Sequence, residues 1–148
     1  METPNKVVLF VLTIVLDIII IMALNVKKMK KFDVCYAFAV LIIHGIFIIS
    51  LMLDTRALLD ILHYSIFIFI ALSPLLSDIY LISANLLLVI VIQILWILKG
   101  YCILNDPNNP IRFGYGYEIS IFVLLYTVIL ANKMPKLDIS NLFVISNI

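Results

Sequence analysis

Charged side chains are scarce in this chain: they make up 13% of its 148 residues, against 65% hydrophobic ones. Soluble domains are about half apolar and about a quarter charged, and a mean hydropathy of +1.23 lies well beyond them. The scarcity therefore excludes a water-soluble fold. Ten Lys and Arg against nine Asp and Glu leave a net charge of +1, too small and too bunched for the basic face that a phosphate backbone needs, so no nucleic-acid partner is expected. Glycine is also rare, at four residues, and the apolar runs lack the alternation of a membrane β-barrel strand. Helices are the remaining way to satisfy the backbone in lipid. With two histidines and two cysteines, metal chemistry has little to draw on. His63, Asp60 and Glu118 form a set too thin for a zinc site, and no metal or cofactor is expected. Nor can a nucleophile and base with an oxyanion site be assembled, which argues against an enzyme.

What the chain does contain is long apolar runs, and the expected fold is an all-α membrane bundle of about five transmembrane helices. The first span runs over 7–26 and is closed by Lys27, Lys28, Lys30 and Lys31, which cannot enter hydrocarbon cheaply. It holds Asp17 and ends without a small-residue cleavage site, so it reads as a retained span and not as a secretory signal. The second span covers 34–53 and stops at Asp54-Thr55-Arg56. From Ala57 to Leu98 the sequence stays almost uncharged for about twice the ~20 residues of one crossing, so it must fold back on itself. The break falls at Ser73-Pro74 to Ser77-Asp78, giving spans at 57–76 and 79–98 that form a tight hairpin. The fifth span, 117–132, is the shortest. Residues 1–133 thus form one transmembrane domain, with 99–116 as an external loop marked by turn-forming Asn, Asp and Pro. The tail, 134–148, mixes Ile, Leu and Phe with polar residues and is expected to lie on the membrane surface.

An odd number of crossings puts the termini on opposite sides, and the basic residues choose between them. One face carries Lys27, Lys28, Lys30, Lys31, Lys133 and Lys136, the other Lys6, Arg56, Lys99 and Arg112. The positive-inside rule then puts the N-terminus outside and the C-terminus in the cytosol. The four lysines at 27–31 are also expected to contact anionic lipid headgroups, although they serve equally well as a topology signal alone. Cys35 and Cys102 fall on opposite sides, so no disulfide joins them. Trp96, Tyr101, Tyr115 and Tyr117 cluster at the outer boundary, where amphipathic rings anchor a bundle.

Polar groups inside the spans are the candidate functional residues. Asp17 lies near the midplane, where a carboxylate costs several kcal/mol and needs a partner or a proton. His44 lies at matching depth in the next span, and the short loop makes the two spans antiparallel neighbours. The spacing predicts an Asp17–His44 pair, with Gly45 letting the helices approach closely and Thr13 adding a hydrogen bond. A second pair, His63 and Gln93, is expected at similar height in the third and fourth spans. Asp17–His44 admits two readings, an interhelical hydrogen bond that fixes packing or a proton-responsive site, and His63–Gln93 reads as a packing hydrogen bond in preference to a metal site. Phe113-Gly114-Tyr115-Gly116 superficially matches a potassium-channel filter, but Ile111-Arg112 precede it and Pro107 and Pro110 break the stretch where a pore helix would stand.

His63, Phe67, Trp96 and Cys102-Ile103-Leu104-Asn105 carry a resemblance. Over about 58–126 the chain resembles a family of small, uncharacterised multi-span membrane proteins of bacteria and large DNA viruses. That family has a His and a Phe four residues apart, a Trp ending the next helix, and a Cys-Pro-Leu-Thr motif. Ile103 and Asn105 depart from it. The resemblance implies a multi-span protein of a bacterial or viral membrane and no particular activity. The function expected from the sequence is a structural or assembly role in a membrane. The alternative is a small proton or ion pathway built on Asp17 and His44 in a homo-oligomer or with membrane-protein partners.

Overall fold

The computed structural model describes residues 3–26, 29–99 and 117–133. Among them the chain is all-helical: α1 (Thr3–Val26), α2 (Lys31–Leu53), α3 (Arg56–Leu72), a 3-10 turn (Ser73–Leu75), α4 (Ile79–Lys99) and α5 (Tyr117–Lys133). The elements follow the expected spans closely, because unbroken Ile, Leu and Val runs leave the boundaries to charges and turn residues. Helix α1 begins earlier than expected, at Thr3, since Pro4 is tolerated in a first turn where no intrahelical donor is lost. Four helices are long and apolar enough to cross a membrane, whereas α5 offers the shorter apolar segment Ile121–Leu130. The expected external loop beyond Lys99, the tail, Lys27 and Lys28 lie outside the described residues.

Each connection has a local cause. Asp54 takes the left-handed conformation at φ 55°, a region Asp tolerates better than most side chains. There its own N–H and that of Thr55 both reach the carbonyl of Ser50, which ends α2 and lets α3 begin within two residues. At the other end of α3, Pro74 lacks the N–H that an α-helix would send to Ile70. The chain tightens into the 3-10 turn, and the Ser73 N–H takes the Ile70 and Phe69 carbonyls instead. Asp78 then caps α4, its carboxylate accepting the N–H groups of Tyr80 (2.8 Å) and Leu81 (3.1 Å).

Helix α1 packs on α2 and α4, α2 on α3, and α4 on α5, with the 3-10 turn wedged among α3, α4 and α5. The main core gathers Ile20, Ala37, Ile70, Leu81, Val89 and Tyr126 toward the Lys133 end of the bundle. A smaller cluster of Leu9, Phe47, Leu51, Leu59 and Leu62 fills the opposite end, where Lys6 meets Asp54. The tight hairpin expected over 57–98 is not what forms. Helices α3 and α4 stay together at the turn and open around an internal cavity. Outward faces are as apolar as the core: Ile42 is 63% exposed and Ile97 82%, a surface suited to acyl chains and costly in water.

Candidate functional site

One polar contact joins the first two helices. Asp17 Oδ1 lies 2.6 Å from His44 Nδ1, and both side chains are largely covered, at 18% and 15% exposure. With the carboxylate ionised, Nδ1 donates and the imidazole is held in one orientation. Two supporting roles expected from sequence are corrected here. Thr13 does not turn its proton toward the pair; its hydroxyl donates to the Leu9 carbonyl at 2.8 Å, the usual back-bond of a helical Thr. Gly45 does not mark a close helix approach, because a Cβ built there would meet nothing within 4 Å. The pair forms through side-chain reach, not backbone proximity at that residue.

His63 is buried, with its ring against Phe67 at 5.5 Å between centroids and Tyr64 at 6.4 Å. It lines the cavity whose α4 wall consists of Leu88, Ile92, Leu95 and Trp96. Gln93 is not part of that wall. Lys30 and Lys31 are exposed at the start of α2, and Cys35 is exposed one turn on.

Several polar links were not anticipated from sequence. Tyr36 of α2 lies within hydrogen-bonding distance of Asn85 Oδ1 (2.9 Å) on α4 and of the Phe69 carbonyl (3.0 Å) on α3, while the Asn85 amide donates to the Leu81 carbonyl. Asp33, only 1% exposed, accepts the Ser77 N–H at 3.0 Å and ties the start of α2 to the α3–α4 connection. Tyr126 of α5 donates to the Ile70 carbonyl at 2.7 Å and is also bonded to Ser73 Oγ. Lys133 donates to the Leu76 carbonyl. The available signal was chemical: a Tyr hydroxyl inside an apolar run needs a partner when buried, and a proline frees the carbonyl four residues before it.

Two cavities flank the Asp17–His44 pair. One of about 70 Å³ lies between α1, α2, α3 and α4 toward the Lys6–Asp54 end and is lined by Thr13, His44, His63 and Trp96 among apolar side chains. The other, about 30 Å³, lies toward Tyr36 and Asn85, and His44 lines it as well. Among the described residues no three His, Cys, Asp or Glu side chains gather as a metal would require. Comparison of the chain with protein-family models, with curated proteins and with solved structures gives no match. Its function is argued from this geometry alone.

Proposed function

We propose that this chain is an integral membrane protein whose five helices all cross the bilayer, with its N-terminus outside and its C-terminus in the cytosol, and that its role is structural or assembly-related. The observation that carries the reading is how the core polar groups are used. Asp17–His44 ties α1 to α2, Tyr36–Asn85 ties α2 to α4, Asp33 ties α2 to the turn, and Tyr126 and Lys133 tie α5 to the same turn. Such bonds are what holds helices together in lipid, where the hydrophobic effect does not. The lysines at 27–31, with Lys133 and Lys136, face the cytosol in this arrangement and contact anionic headgroups. The short α5 crosses with local thinning of the bilayer.

Topology is tested with Lys30→Cys in a chain whose Cys35 and Cys102 are changed to Ser. A membrane-impermeant maleimide is expected to label it from the cytosolic side only; labelling from outside would invert the orientation. The role is tested with Asp17→Asn in reconstituted liposomes, where lower stability with unchanged proton flux is expected. A second reading, a proton or ion pathway in an oligomer, is favoured by the position of His44 between the two cavities. A pH-dependent conductance that Asp17→Asn abolishes would replace the structural role with it.

A further inference from the structure

We propose that the larger cavity is a water site, and that its waters connect His44 to His63 and give the Asp17–His44 pair a route for protons from the Lys6–Asp54 end of the bundle. The inference goes beyond the assembly role and rests only on the bundle being embedded in lipid. Among the described residues Asp17 is the one hydrogen-bond partner of His44, and it occupies Nδ1. The second ring nitrogen is left to whatever fills the spaces that the ring lines. A polar atom facing empty space in hydrocarbon costs several kcal/mol, so a hydrogen-bonding guest is favoured over a void.

Size and lining select the guest. The cavity of about 70 Å³ fits about two waters at ~30 Å³ each. Around it stand the His44 ring, the His63 ring and the Thr13 hydroxyl, whose proton is committed to Leu9 but whose oxygen can still accept. These are the two to four polar contacts an internal water requires. His63 lies about two residues of helical rise, roughly half a turn, nearer the Lys6–Asp54 end than His44 does, counting along α2 and α3.

The chemistry needs no other reactant. A proton delivered by water forms an N–H bond at His44 Nε2 while Nδ1–H stays on Asp17, and the pair changes from a net charge of −1 to zero. The return of that proton to water restores the original state. Among the described residues the titratable groups around His44 are Asp17 from α1, His63 from α3 across the larger cavity and Tyr36 from its own helix beside the smaller one. Helix α4 contributes the uncharged Asn85 and Trp96, and α5 lines neither cavity.

The test is water-to-imidazole magnetisation transfer by NMR on the full chain, labelled with 15N-histidine and reconstituted in lipid nanodiscs. Transfer from water to both His44 and His63 is expected in the wild type, and dry imidazoles would overturn the proposal outright. Ile92→Phe, or the milder Leu88→Met, places bulk in the cavity and is expected to remove the His44 transfer while leaving its Nδ1 shift, the mark of the Asp17 bond, in place. Transfer that survives the filled cavity would overturn the assigned route. Either negative result leaves the five-span topology untouched, since the maleimide experiment decides that separately.

Discussion

Tyr126 donates its hydroxyl proton to the carbonyl oxygen of Ile70, 56 positions earlier in the chain. That carbonyl is the one Pro74 leaves without its helical N–H, since a proline cannot serve the residue four before it. A side chain from α5 therefore repairs the break that lets α3 turn into α4. Ser73, bonded both to the Ile70 carbonyl at 2.9 Å and to the Tyr126 hydroxyl, completes the repair with no exposure of its own.

Tyr126→Phe should accordingly destabilise the bundle by about 1 kcal/mol, the usual worth of an interhelical hydrogen bond in a membrane protein. Because the bond answers a deficit created by Pro74, the two residues should be coupled. In a Pro74→Ala background the regained N–H takes over the Ile70 carbonyl, and Tyr126→Phe should cost less. A double-mutant cycle from equilibrium unfolding in bicelles measures this; equal costs in both backgrounds would mean that Tyr126 acts through packing alone.

Asp17→Asn and Asp17→Leu should separate hydrogen bonding from charge at the helix pair. Asn keeps an acceptor for His44 Nδ1, so its cost should stay near ~1 kcal/mol, whereas Leu leaves the imidazole edge unpaired and should cost about 1–3 kcal/mol. Unfolding free energies in the same lipid give the order. If Leu is tolerated better than Asn, the bond at 2.6 Å contributes nothing net to the fold.

Gly45→Ala should be neutral or stabilising by up to ~1 kcal/mol, because alanine is the better helix former and the added methyl meets no atom within 4 Å. The measurement is the thermal midpoint in detergent. A marked loss, with a change in oligomeric size, would reveal a second copy packed against that face.

How much of this was legible in the sequence follows from what sequence spacing encodes. Depth along a helix is set by counting residues, so the span limits and the matched depths of Asp17 and His44 could be read directly. Rotation about the helix axis changes by about 100° per residue, and there counting alone fails. It gave no warning that His63 would line a cavity walled on α4 by Ile92 and Trp96. It also made Gly45 a contact point, although that face is open. Tyr36 and Tyr126 were hidden because a Tyr within Ile and Leu scores as another large apolar residue. Only the question of where its hydroxyl proton goes, taken together with Pro74 and Asn85, points to the ties they make. The opening between α3 and α4 depends on summed side-chain volumes on four helices, which no single segment records.

At the end of the bundle where α1 starts and α2 stops, Lys6 Nζ and Asp54 Oδ1 stand 3.1 Å apart. The Lys6 ammonium, by hydrogen bond and by charge, holds the Asp54 carboxyl below its ordinary range. A carboxyl whose folded-state value is depressed stabilises the fold above its unfolded value, about 3.9 for Asp, and the contribution is lost as pH falls through the lower folded value. The contact is open to solvent and screened by salt, so its effect on stability should be small. Its effect on titration should not be hidden in the same way. Lys6→Met should move the Asp54 carboxyl midpoint upward, toward the unperturbed value, as followed by 13C NMR of the side-chain carboxyl in detergent. High salt should move the wild-type midpoint in the same direction. A midpoint indifferent to both would mean that the ammonium does not stay at the carboxylate in solution, and that the apolar cluster of Leu9 with Phe47, Leu51, Leu59 and Leu62 holds the α1 start to the α2–α3 link without help from the Lys6 ammonium.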